Sequence, residues 1–161
     1  MEIEQMRSRK DPVDILRRFL ENPAHPETVH ELVAEDAVHL SINDQNPELE
    51  KVLPWTGRNH GPQGFLDAHS RMFHYIRNEE FIVETIFGSG GNVAAFGTVK
   101  QCSNTLSKST CSPFSVWAKV AAGKIVFLQY LEDSYATALS FKSEGFWTVH
   151  ADTEGKPYDV R

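Results

Sequence analysis

Beyond Glu80 four runs rich in β-branched and aromatic residues follow one another with only short connections: Phe81–Phe87, Val93–Cys102, Thr110–Ala121 and Ile125–Leu131. Each is bounded by turn chemistry, first Gly88-Ser89-Gly90-Gly91-Asn92, then Ser103-Asn104, then Gly123. Consecutive strands joined this tightly form an antiparallel meander, and long strands of this kind twist and curl. A curled sheet buries its inner face only if something covers it, so the residues ahead of Glu80 must supply the cover.

Those residues read as helices. Asp11 before Pro12 opens a first helix, because Asp accepts free N–H groups and Pro suits the first turn. Val13, Leu16, Phe19 and Leu20 give it one apolar face, and Asn22-Pro23 stops it. His25-Pro26 opens a second helix with Val29, Leu32 and Val33 buried, and the two form a hairpin. Ala37–Ile42 alternates as a strand, with Ala37, His39 and Ser41 on one side. Asn43–Val52 is polar and acidic without a period, and reads as a surface loop. After Gly61-Pro62 a third helix runs to about Arg77, its stripe formed by Phe65, His69, Met72 and Ile76, flanked by Leu66 and Phe73. The whole is an α+β domain over residues 1–142, and residues 143–161 form a tail without a period in which Phe146 and Trp147 stand out.

Composition narrows the function classes. With 161 residues, 40% of them hydrophobic and 24% charged, the chain is a single globular domain with a sizeable core. A formal charge of −6 argues against nucleic acid as a partner. The basic group Arg7, Arg9, Lys10, Arg17 and Arg18 is too short and interrupted to reverse that, and reads as a solvated helix face. No apolar run is long enough for a membrane span, and MEIEQMRSRKD has no apolar core of a secretory signal, so cytoplasmic residence is the expectation. Cys102 and Cys111 can face one another across a hairpin, but a reducing cytosol disfavours a disulfide, and two cysteines without CxxC spacing make no zinc site.

LVAEDAVHL before the first strand, LPWTGRNHGPQGF leading into the third helix, and VWAKVAAGKIVFLQYLEDSYATALSF at the end occur in an order that resembles the SnoaL-like branch of the nuclear transport factor 2-like, or ketosteroid isomerase-like, superfamily. The resemblance covers Pro12 to Phe141. It implies a cystatin-like cone: a curved antiparallel (mixed) sheet wrapped by three N-terminal helices around an apolar cavity. It also implies homodimers formed through the outer sheet face, and activities from isomerases and cyclases to dehydratases, beside members that only bind. The isomerase's catalytic aspartate position falls on Ser41 and its strand donor near Ser115. Neither is an acid, so a steroid isomerase is not expected.

Several residues can carry chemistry. His69, inside an apolar stripe, is either a satisfied core histidine or a pocket acid or base. His39 shares a strand face with Ser41, which the resemblance points into the cone; an exposed His39 is the alternative. No carboxylate has convincing spacing for a metal beside them. The resemblance turns Ser115 and Trp117 toward the cavity, as a donor and a wall. On the closing strand Leu128, Tyr130 and Glu132 share a phase, and Tyr130 is either a donor to developing enolate charge or structural. Asp133 can be a base at the mouth or the cap of the last helix. Trp55, Arg58 and His60 sit on the loop over the entrance; Arg58 would meet an anionic ligand or an acidic neighbour. Together with Phe65, Met72 and Phe73 these residues outline a site for a small apolar or aromatic ligand. The expected chemistry is proton transfer on a carbonyl or hydroxyl compound without a cofactor, the alternatives being binding without chemistry or a homodimeric interaction subunit.

Overall fold

The computed structural model describes residues 11–161. The portion of the basic group on Arg7, Arg9 and Lys10 lies outside them. Helix α1 (Pro12–Glu21) starts as its sequence demands: Asp11 Oδ1 accepts from the Val13 N–H at 2.8 Å and Pro12 occupies the first turn. Helix α2 (Pro26–Leu32) is capped by the His25 ring, whose Nδ1 accepts from the Thr28 N–H at 3.4 Å. Val33, expected on that helix, is instead the first residue of strand β1 (Val33–Ser41).

Two expectations for the next stretch give way. Asn43–Val52 is not all loop, because Asn46-Pro47 supplies a cap and first turn and residues Pro47–Val52 close into the short helix α3. Gly57–His60, read as loop, forms strand β2 antiparallel to β1. No β-forming side chains favour β2; the free edge of β1 recruits it. Helix α4 (Gly61–Tyr75) ends two residues earlier than expected, since Ile76 and Arg77 open strand β3. Its first residue has φ +67°, and a Cβ there would lie 2.8 Å from the Glu35 carbonyl oxygen, so only glycine lets α4 cross β1 this closely.

Strands β3 (Ile76–Ser89), β4 (Asn92–Ser103), β5 (Ser109–Ala121) and β6 (Lys124–Glu132) form the expected meander. The six-stranded sheet has the order β2-β1-β6-β5-β4-β3, with β1 and β6 parallel and the other pairings antiparallel. The sheet is therefore mixed and curved, and its fold is α+β. Helices α1, α2 and α4 cover the inner face, where Phe19, Val29 and Phe65 pack on Val93, Val116, Ala118 and Leu128. Helix α5 (Ser134–Leu139) follows β6. The tail has more structure than its sequence suggests: β7 (Trp147–Val149) and β8 (Tyr158–Val160) pair as a hairpin, and Trp147 rests on Tyr135 with ring centroids 5.2 Å apart.

Cys102 lies opposite Ser109 and Cys111 opposite Lys100, so the register offsets the two thiols and both are free. Among the described residues no helix is long and apolar enough to cross a membrane.

Candidate functional site

A cavity of about 670 Å³ lies between the inner sheet face and helices α1 and α4. Its base is the parallel junction of β1 and β6, where His39 sits opposite Leu128 and Ser41 opposite Tyr130. All four residues line it, as do His69, Met72 and Phe73 from α4 and Trp55 from the loop before β2. Trp55 is mainly a packing residue, its ring between Tyr75 and Phe141 at centroid distances of 6.0 Å each.

His39 and His69 converge. Their rings stack at 5.2 Å between centroids and 13° between planes. Phe65 and Phe19 close the far side, Phe65 lying 5.0 Å from the His39 ring and Phe19 5.8 Å from the His69 ring. Phe65 is thus core behind the site rather than cavity wall, and it contributes a carbonyl instead of its ring.

Hydrogen bonding assigns the protons. His69 Nδ1 is 2.8 Å from the Phe65 carbonyl oxygen. A carbonyl only accepts, so Nδ1 carries the proton, and Nε2 keeps a lone pair with no partner among the described residues. His39 is only 4% exposed, and its Nδ1 is sealed without a partner. Buried N–H groups without an acceptor are rarer than bare acceptors, so the His39 proton belongs on Nε2, the ring nitrogen left to the cavity. Burial first, and the neighbouring His69 second, lower the His39 pKa to about 3. Burial also lowers His69, against the carbonyl hydrogen bond that favours its protonated form. At neutral pH the pair is therefore uncharged, with one N–H donor and one basic nitrogen available side by side.

Tyr130 stacks on Phe114 at 5.8 Å and donates from its hydroxyl to Glu132 Oε2 at 3.0 Å. The other Glu132 oxygen accepts from Gln101 Nε2 at 3.2 Å and Thr137 Oγ1 at 2.9 Å. Burial, before the Glu132 charge, holds the Tyr130 phenol well above its usual range. Burial likewise raises Glu132, against the three hydrogen bonds that favour its anion.

The remaining expected site residues lie elsewhere. Ser115 and Trp117 occupy the outer sheet face, because Phe114, Val116 and Ala118 are the buried phase of β5; Trp117 is 42% exposed and donates to Asn92 Oδ1 at 3.2 Å. Arg58 and His60 stand opposite Leu40 and Val38, the β1 residues facing away from His39, so both leave the cavity. Arg58 pairs with Asp44 at 2.7 Å. Asp133 caps α5 through Oδ1, accepting from the Ala136 N–H at 3.0 Å, and is not a cavity wall.

No family model matches this sequence. Patulin synthesis protein F of Aspergillus clavatus is 36% identical over 140 residues, 84% of this chain and 71% of that protein. Patulin biosynthesis cluster protein F of Penicillium expansum is 35% identical over 152 residues, 91% of this chain and 76% of that one. The chain belongs to the patulin synthesis protein F family. Its fold is nuclear transport factor 2-like: a protein of that type from Burkholderia thailandensis superposes with a TM-score of 0.70 at 16% identity, covering 82% of this chain and 98% of its own. Ketosteroid isomerase-like and SnoaL-like chains share the fold.

In this member of the patulin synthesis protein F family, sequence reasoning missed part of the lining. Arg17 and Glu21 of α1, Arg77 and Asn78 of β3, and Gln101 of β4 also face the cavity. Glu21, Arg77 and Asn78 sit where element ends converge, which no local pattern marks, and Arg17, expected on a solvated helix face, borders the cavity from the middle of α1. Gln101 carried a signal, a long polar side chain in the apolar run Val93–Cys102. Among the described residues no group of three or more His, Cys, Asp and Glu gathers as a metal site would require.

Proposed function

We propose that this protein is a cofactor-free acid/base enzyme that isomerises, cyclises or dehydrates a small, mostly apolar carbonyl or hydroxyl compound. The observation that carries the reading is the stacked pair of uncharged imidazoles on a largely apolar cavity. His69 Nε2 accepts a proton from a carbon or hydroxyl of the substrate, and the His39 Nε2–H donates to the substrate oxygen on which charge develops. A neutral imidazole donor suits an enolate-like state because it polarises the oxygen without a full charge in the ground state. The two fungal relatives named for patulin synthesis favour a metabolite as the substrate.

The test incubates the protein in deuterated water with small-molecule extracts of the cells that express it, and follows mass and deuterium content. The expected result is a compound altered or labelled by the wild-type protein and about 10²-fold more slowly by His69→Gln. Equal turnover by a folded His69→Gln protein overturns the reading. A compound retained but never altered points to a carrier, which the apolar lining also suits.

We also infer a homodimer through the outer sheet face. Ile82, Phe87, Phe96, Trp117 and Leu131 are exposed there on neighbouring strands. Apolar side chains exposed together on one face support that reading.

A further inference from the structure

Tyr130 and Glu132 form a second polar unit at the cavity, apart from the histidines. Both leave β6 on its inner side, and the Tyr130 hydroxyl lies 3.0 Å from Glu132 Oε2. Gln101 Nε2 and Thr137 Oγ1 hold the other carboxyl oxygen, and Gln101 Nε2 also lies 3.0 Å from Thr137 Oγ1. Gln101 and Thr137 are themselves buried. Tyr130 and Gln101 line the cavity, whereas Glu132 stands behind them.

Among the described residues no lysine, arginine or histidine pairs with Glu132. The groups around it are the Tyr130 phenol on its own strand, the Gln101 amide of β4, the Thr137 hydroxyl of α5, and the Asp133 carboxylate next in the chain. Asp133 is the one charged group of these, and it disfavours a second negative charge. In a fixed carboxyl without a cation, burial and Asp133 favour the protonated form and the three neutral donors favour the anion, so the proton is set by their balance.

Each state gives Tyr130 a different face. With Glu132 ionised, the phenol O–H is committed to Oε2 and only oxygen lone pairs face the cavity. With the proton on Oε2, the carboxyl donates to Tyr130 Oη, and the phenol O–H is released toward a ligand. We propose that Glu132 is a positioning residue for Tyr130, its carboxyl proton converting the phenol from an acceptor into the cavity's second hydrogen-bond donor.

The proposal rests on the acid/base reading for its use in turnover. As His69 Nε2 takes a proton from carbon, the substrate oxygen takes the Tyr130 proton and Tyr130 Oη takes the one on Glu132. Glu132 is then a carboxylate held by Gln101 and Thr137. When His69 returns its proton to the substrate carbon skeleton, the substrate oxygen releases its own back through Tyr130 to Glu132, and no proton is gained or lost. The ligand class this selects is an enolisable ketone, whose oxygen stands at a distance from its acidic C–H that spans the two units.

The full chain, labelled with carbon-13 at the tyrosine ring carbon bearing oxygen and at the glutamate carboxyl, is titrated by NMR without any ligand. The expected result is a Glu132 signal titrating above the ordinary carboxyl range and a Tyr130 signal moving with the same midpoint. Glu132→Gln, whose amide N–H replaces the carboxyl O–H, removes that midpoint from Tyr130. Tyr130→Phe deletes one donor to the anion and moves the Glu132 midpoint higher. If Glu132 titrates in the ordinary range, or Tyr130 ignores it, the proposal fails. His69→Gln leaves these titrations in place, so a failure of the histidine mechanism is distinguishable. With a substrate in hand, turnover falls at alkaline pH with the Glu132 midpoint, and Glu132→Gln abolishes that limb.

Discussion

The two faces of the sheet place chemically opposite side chains against opposite surroundings. On the inner face His39, Ser41, Gln101 and Tyr130 are set among Phe65, Leu128 and Val99, and burial holds the ionisable ones uncharged. On the outer face Phe87, Phe96 and Trp117 meet solvent, with Lys119 Nζ 4.8 Å above the Trp117 ring. Polar groups within an apolar shell hold electrostatic potential that water would otherwise quench. Apolar groups beside water hold association free energy instead. One curved sheet therefore carries the proposed reaction chamber inside and the proposed docking face outside.

The largest effect expected from this contrast is on acid stability. The unfolded chain protonates His39 near 6.5, whereas the folded chain resists until about 3. The folded state thus binds fewer protons across that window, so stability is intact above it and falls as pH drops through it. At about 1.4 kcal/mol for each pH unit the loss approaches about 5 kcal/mol. Burial of His69 adds to this loss, and Glu132, raised rather than lowered, opposes it. Urea unfolding at stepped pH should show this slope, and His39→Gln should flatten it. An unchanged slope would mean that the inner face does not hold His39 uncharged.

Phe65→Ala comes next, costing about 3–5 kcal/mol in the same assay, since its fully buried ring supports both Phe19 and His39. On the outer face Trp117→Ser should leave the urea midpoint almost unmoved and weaken self-association by about 30-fold, the equivalent of about 2 kcal/mol at an interface centre. Sedimentation equilibrium measures it, and an unchanged oligomer would break the inside–outside contrast. The smallest effect belongs to a residue on neither face: Asp133→Ala removes the cap of α5 and should cost about 1 kcal/mol with turnover retained.

Much of the site was readable before any coordinates. His69 is an imidazole in an apolar stripe of period 3.6, which turns it inward, whereas His39 shares its strand phase with Ala37 and Ser41 and only the family resemblance pointed that face into the cone. Alternation alone could not orient β5. It separates Phe114, Val116 and Ala118 from Ser115 and Trp117, yet both sets contain an aromatic ring, and only packing against α1 and β4 decides which is inside. Arg58 and His60 went astray for the same reason, since the β1–β2 register sets their direction. The Glu132 unit needed β4, β6 and α5 together, partners more than 30 residues apart along the chain in the case of Gln101. Asp133 was legible as a cap from the short acceptor ahead of a small-residue helix.

The pairing of β1 with β6 joins Ser41 to Tyr130 across most of the sequence. A nascent polypeptide emerging N-terminus first thus exhibits helices, and then a growing meander, long before any hollow exists. Until β6 is released, His39 has no floor beside it and one edge of β1 stays unpaired. Closure over so long a loop is slow compared with local hairpin formation. The hollow is accordingly completed only when β6 is in place, and a chain interrupted before residue 130 lacks part of its floor.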